Sequence, residues 1–147
     1  MTVIEIRYYH VKPSGLRPGD VLRRGSYGQY LLAAGMSATD DPIQEYLREQ
    51  IRQASYPKKP SRLYSSFVFE TLADAQFFRD NLRIGSSIYE VTFRSQPVAV
   101  HRVCYTAWNP DFPNHMLQAH EFWGAPQLYG SNTELFAEED LVVLQQV

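Results

Sequence analysis

The chain has 147 residues, with 14 Lys plus Arg against 16 Asp plus Glu and a formal net charge of −2. That length supports one domain, residues 1–147, with a core that needs no metal or disulfide staple. The charge balance argues against general electrostatic binding to nucleic acid or a membrane surface. The single cysteine, Cys104, excludes an intrachain disulfide and fits a reducing compartment. The first residues, Met1-Thr2-Val3-Ile4-Glu5, lack the basic and apolar regions of a signal peptide. No apolar run reaches the length of a membrane span, so a cytoplasmic setting without membrane partners is expected. Ten Tyr, eight Phe and two Trp suit a β-rich core and can also line a pocket for flat rings.

In chain order, Ile4 to Val11 predicts a first strand. Alternation puts Ile4, Ile6, Tyr8 and His10 on one face, and Glu5, Arg7 and Tyr9 on the other. The apolar face therefore ends in an imidazole, just before the turn at Lys12-Pro13-Ser14-Gly15. His10 has two readings: a half-buried ring bonded to a neighbouring carbonyl, or a donor facing a ligand. Pro18-Gly19 fits the centre of a type II turn. Arg23 to Gly28 reads as a loop with two cations and two glycines, without the spacing of a phosphate-binding loop. Thr39-Asp40-Asp41-Pro42 is a helix start. The periodicity predicts an amphipathic helix over about 41–53, with Ile43, Tyr46, Leu47, Ile51 and Ala54 as its apolar stripe. Ser55 to Arg62 is the most basic stretch, either an exposed connector or a phosphate contact.

Leu63 to Glu70 predicts a strand with Leu63, Ser65, Phe67 and Phe69 on one face and Tyr64 on the other. Thr71 to Asp74 is a capping box. Leu72, Ala75, Phe78 and Leu82 form the stripe of the helix that follows, with Gly85 as its C-cap. Ser87 to Phe93 alternates, with Tyr89, Val91 and Phe93 together. Val98 to Tyr105 reads as its antiparallel neighbour across a short turn. Asn114 is positioned to cap a short helix, His115 to Trp123, with Met116, Ala119 and Trp123 on one side. Thr133 to Phe136 is extended, Glu138-Glu139-Asp140 is an acidic turn, and Leu141 to Val147 is a central strand. His101, His115 and His120 lack metal-ligand spacing, so no metal site is expected. Cys104 reads as a small hydrophobe.

Four short motifs stand in series: Tyr9-His10; Arg62 to Phe69 running into a helix with Asp74-Ala75; Phe122-Trp123-Gly124; and Glu134-Leu135. In this series the chain resembles the ADP-ribosyltransferase superfamily, and within it a group of small bacterial domains of unknown function. The resemblance implies an α+β domain of split, mostly antiparallel sheets with peripheral helices. It also implies NAD as substrate, with ADP-ribose passed to a macromolecular acceptor, a protein rather than a nucleic acid, and nicotinamide released. A toxin, effector or defence component delivered into another cell would fit.

The nicotinamide of NAD is a cationic leaving group, and its departure leaves an oxocarbenium-like ribose that a nearby carboxylate stabilises. By resemblance, Glu134 would supply that carboxylate. His10 would hold the adenosine ribose, and the Val11 backbone would sit near the nicotinamide amide. Tyr64 or Phe67 would stack on the nicotinamide, Ser65 would support the site, and Arg62, Arg23 or Lys59 would meet the pyrophosphate. Asn132 stands two positions before Glu134, which departs from the Glu-x-Glu pattern of arginine-directed transfer. A non-catalytic binding module, an NAD glycohydrolase and an RNA 2′-phosphotransferase relative are the alternatives.

Overall fold

The computed structural model describes residues 5–35, 42–105, 115–124 and 132–147. The expected caps at Thr39 to Asp41 and Asn114, and the loop Trp108 to Pro113, lie outside them. The described strands are β1 (Tyr8–Lys12), β2 (Val21–Leu22), β3 (Ser66–Val68), β4 (Ser87–Phe93), β5 (His101–Cys104), β6 (Thr133–Ala137) and β7 (Leu141–Gln146). The helices are α1 (Ser26–Ala34), α2 (Pro42–Ser55), α3 (Leu72–Leu82) and α4 (His115–Gly124), with a 3₁₀ turn at Arg62–Tyr64. Two antiparallel sheets form, ordered β1-β4-β7-β2 and β3-β6-β5. This is the α+β architecture of split antiparallel sheets with helices around them. No helix among the described residues is long and apolar enough to cross a membrane.

Among the described residues one backbone bridge joins the sheets. Tyr9 and Phe69 exchange both backbone hydrogen bonds, at 2.9 and 2.7 Å. Alternation in β4 holds as expected: Tyr89, Val91 and Phe93 enter a core with Val68, Leu135, Leu141 and Val143. β1 differs from its expected pattern. It starts at Tyr8, and both of its faces are covered: Tyr8 packs edge-on against Phe93, while Tyr9 and Val11 pack with Phe69, Ala75 and Phe78. The strand lies between the central core and α3, so it has no fully solvated face.

Four further expectations are corrected. First, β4 and β5 are not neighbours: they belong to different sheets, and Arg94 to Val100 carries the chain from one to the other. Second, the Arg23 to Gly28 loop turns into α1 at Ser26. Its N-cap, Gly25, takes φ 88°, a left-handed conformation that glycine adopts without penalty. Gly28 lies within the helix at a position that has no room for a side chain: a Cβ there would lie 2.2 Å from the Leu63 carbonyl oxygen. Third, the expected strand from Leu63 is a 3₁₀ turn followed by only three strand residues. Ser61 caps that turn by accepting from the Leu63 N–H.

Fourth, α2 is rotated from its expected orientation: Leu47 and Ile51 of the expected stripe reach the core, but the rest of the buried face is polar. Gln44, Glu45 and Glu49 are buried beside Ile51, whereas Ile43 is 64% exposed. Smaller differences follow the same logic of helix rotation and fraying. Met116 of α4 is exposed while Gln118 is buried with Ala119 and Trp123. The C-cap of α3 is Arg83, two residues before Gly85. The capping side chain of Thr71 does accept from the Asp74 N–H, at 3.1 Å. His101 is a core histidine, 3% exposed. It donates from Nε2 to the Phe122 carbonyl at 2.8 Å and packs against Trp123 and Phe136.

Candidate functional site

The polar face of α2 is buried against the segment Ser61 to Ser65. Glu49 accepts from Ser61 Oγ at 2.9 Å and from Arg52 at 2.8 and 3.0 Å. Ser65 Oγ donates back to the Ser61 carbonyl at 2.5 Å, and Gly25 N–H donates to the Ser65 carbonyl. The segment is thus gripped by α2 on one side and by the start of α1 on the other. That grip fixes the side chain between these two anchors, Arg62.

Arg62 lies in an aromatic box. Its guanidinium carbon sits 4.9 Å from the Phe67 ring centre, 5.3 Å from Phe136, 5.5 Å from Phe122 and 5.6 Å from Tyr27. Nε donates to both oxygens of Glu45, at 3.1 and 3.0 Å, and Nη1 donates to Glu134 Oε1 at 3.3 Å. Glu45 also accepts from Arg48 Nη1 at 3.1 Å and from the Tyr27 hydroxyl at 3.3 Å. Charges therefore alternate along a chain, Arg48, Glu45, Arg62, Glu134. Only a planar guanidinium can stack on rings and use separate nitrogens for two carboxylates at once.

The two carboxylates are pushed in opposite directions. Burial disfavours the charge of Glu45, but Arg62 and Arg48 overcome it and hold its carboxyl below the ordinary range. Burial raises the Glu134 carboxyl, Arg62 offsets this only in part, and the nearby Glu45 charge adds to the rise. Burial also works against the charge of Arg62, yet Glu45 and Glu134 together keep it firmly protonated. Carboxylates whose surroundings separate them in this way are suited to different roles.

His10 stands at the gap between the sheets. Its ring lies 2.7 Å from the Phe67 carbonyl. That contact needs a proton on Nδ1, so the neutral ring turns the lone pair of Nε2 outward. Burial holds the imidazole below its ordinary pKa, with the Phe67 bond opposing. The imidazole takes the acceptor that a further rung between β1 and β3 would use. Tyr9 bonds Phe69 with its backbone, and Val11, two residues on, points its N–H and C=O to the same edge. No described residue bonds either group of Val11. The strands therefore splay beyond the Tyr9–Phe69 bridge.

The structure joins His10, Phe67, Arg62 and Glu134 in one contiguous series. Glu134 lies on the central strand β6 and is 7% exposed, not on the surface where a lone strand glutamate is usually found. Ser65 is buried and braces Ser61, with no bond to Glu134. Tyr64 is 61% exposed and points away from the box. Arg62 is committed to two carboxylates rather than held out as a free cation, and Arg23 is exposed. Sequence reasoning missed Tyr27, Glu45 and Arg48. Glu45 and Arg48 are three residues apart and lie outside the apolar stripe expected of that helix, and the partner that makes Glu45 a buried group, Arg62, comes from across the fold.

No curated protein matches the chain. Residues 23–147, which contain every member of the Arg62 box but not β1, match the model of the family described as "Protein of unknown function (DUF2441)", and the chain belongs to that family.

Proposed function

We propose that the chain is an NAD-dependent ADP-ribosyltransferase that releases nicotinamide and passes ADP-ribose to a protein acceptor. The observation that carries this reading is the splay of β1 from β3 beside a buried carboxylate on the adjacent strand. The Val11 backbone, which no described residue bonds at this edge, offers one N–H and one C=O, the complement of a carboxamide such as that of nicotinamide. His10 offers Nε2 to a sugar hydroxyl at the same gap. Glu134 Oε2 takes no hydrogen bond from the described residues and keeps some exposure, so it is free to face an oxocarbenium-like ribose. Phe67 is the aromatic of the expected pair that lies at the box, and Tyr64 is assigned no stacking role. The pyrophosphate would need a cation other than the paired nitrogens of Arg62. A cytoplasmic acceptor, reached from within or by delivery into another cell, belongs to the same proposal.

A second reading is a binding module on the same fold without turnover. It is favoured by the commitment of Glu134 Oε1 to Arg62, which holds part of the carboxylate away from a substrate. Calorimetric titration with NAD, followed by nicotinamide release, separates the two. Binding by both wild type and Glu134→Gln, with release confined to wild type, is the expected result. The loss is about 10²–10³-fold or more, the usual scale for removing an electrostatic stabiliser. Absence of binding at millimolar NAD would sink the transferase reading. Release without a labelled acceptor would reassign the chain as a glycohydrolase.

A further inference from the structure

We propose that Glu45 of α2 is a positioning residue for Glu134, acting through Arg62; its catalytic meaning rests on the transferase reading above. Glu45 and Glu134 do not touch through a shared hydrogen bond. They share one guanidinium, Glu45 on Nε at 3.0 and 3.1 Å and Glu134 on Nη1 at 3.3 Å. The aromatic box stops the guanidinium from turning, so its position is set by its stronger anchor. Glu45 is that anchor, with both of its oxygens on Nε and support from Arg48 and Tyr27. Glu134 is left with one longer bond. Among the described residues its Oε2 accepts no hydrogen bond and the Nη2 of Arg62 donates none, and neither atom is wholly buried.

A purely structural role explains this arrangement poorly. Four charges inside an aromatic box cost more to desolvate than their attraction returns, relative to well-packed apolar side chains. α2 carries an isoleucine, Ile43, on its exposed side while two acids face inward. A device that leaves one carboxylate loosely held gives this placement a purpose.

The groups that act on the Glu134 charge are Arg62 from the 3₁₀ turn, Glu45 from α2 and, more remotely, Arg83 just beyond α3; Tyr105, after β5, senses the same charge. Removing the charge of Glu45 takes away a like charge and releases Arg62 to Glu134. Both changes favour ionised Glu134. The test is a carboxyl-carbon NMR titration of protein labelled at glutamate, with the Glu134 signal assigned by its loss in Glu134→Gln. In Glu45→Gln the Glu134 midpoint falls by about one pH unit, the lower end of the shift an opposite charge produces. Glu45→Asp, whose shorter side chain keeps the charge but loosens its hold, shifts it in the same direction by less. This milder variant also carries the test if Glu45→Gln does not fold. The acid limb of nicotinamide release moves with the midpoint. An unchanged midpoint in the folded variants overturns the proposal, because a merely structural Glu45 alters stability alone. A shifted midpoint in a protein that never releases nicotinamide upholds the coupling and overturns only the transferase reading.

Discussion

Arg62 shows how one residue can be decisive without being free. Replacing it with Met keeps most of its bulk but strands Glu45 and Glu134 in the box. Breaking a buried pair in this way costs about 3–5 kcal/mol. Urea denaturation at pH 7 should show that loss, and the deficit should shrink in acid as the stranded carboxyls protonate. A deficit that stays constant with pH would mean that lost packing, not lost charge, is the cause. His101 makes a separate pH prediction. Burial lowers its pKa from 6.5 to about 4, with the Phe122 bond opposing. Because the folded value is depressed, its contribution is fully present above about pH 6.5 and fades as the pH falls toward 4. A change of that size is worth about 3 kcal/mol. In His101→Phe, stability between pH 6.5 and 4 should slope less steeply than in wild type. Short sequence motifs single out Glu134 and Arg62 as candidates. Their partnership was not legible there, because Glu45, Arg62 and Glu134 are far apart along the chain.

At the scale of elements, periodicity was readable where one face meets solvent and the other meets a core. β4 and the capped start of α3 meet that condition, and their patterns held. For the cap, Thr71→Ala should cost about 1 kcal/mol of stability by denaturant titration. α2 meets it only in part: Leu47 and Ile51 reach the core, but Glu45 and Glu49 are buried beside them and Ile43 and Tyr46 are exposed. A hydrophobicity pattern misplaces the buried face of such a helix by part of a turn, because it scores residues one at a time and cannot see a charge neutralised from elsewhere. α1 was hidden by Gly25 and Gly28, which read as loop residues. Their reason is external to the helix: Gly28 lets its backbone reach the Leu63 carbonyl. Gly28→Ala drives a Cβ into main chain, which cannot rotate away, and should cost at least the roughly 1–3 kcal/mol typical of overpacking. Because the same contact positions Arg62, that variant should also weaken any NAD binding detected by calorimetry. Unchanged stability would show that α1 can slide on the 3₁₀ turn.

For the whole molecule, the α+β class followed from the mixture of alternating and helical stretches. The pairing of strands did not, because nothing local in Arg94 to Val100 distinguishes a hairpin from a crossing between sheets. That crossing is one of several. Strands β1 and β2 lie in the first sheet, β3 in the second, β4 in the first, β5 and β6 in the second, and β7 in the first again. β7, which follows the other described strands in the chain, is inserted between β4 and β2, and its Leu141 and Val143 complete the cluster around Val91. On a ribosome the first sheet therefore lacks one of its two interior strands until residues 141–146 have emerged. Neither sheet is a contiguous length of chain that could fold early and wait. Folding of this kind is dominated by distant contacts, which makes it slow and cooperative. Deleting β7 should abolish both sheets together, not trim one edge.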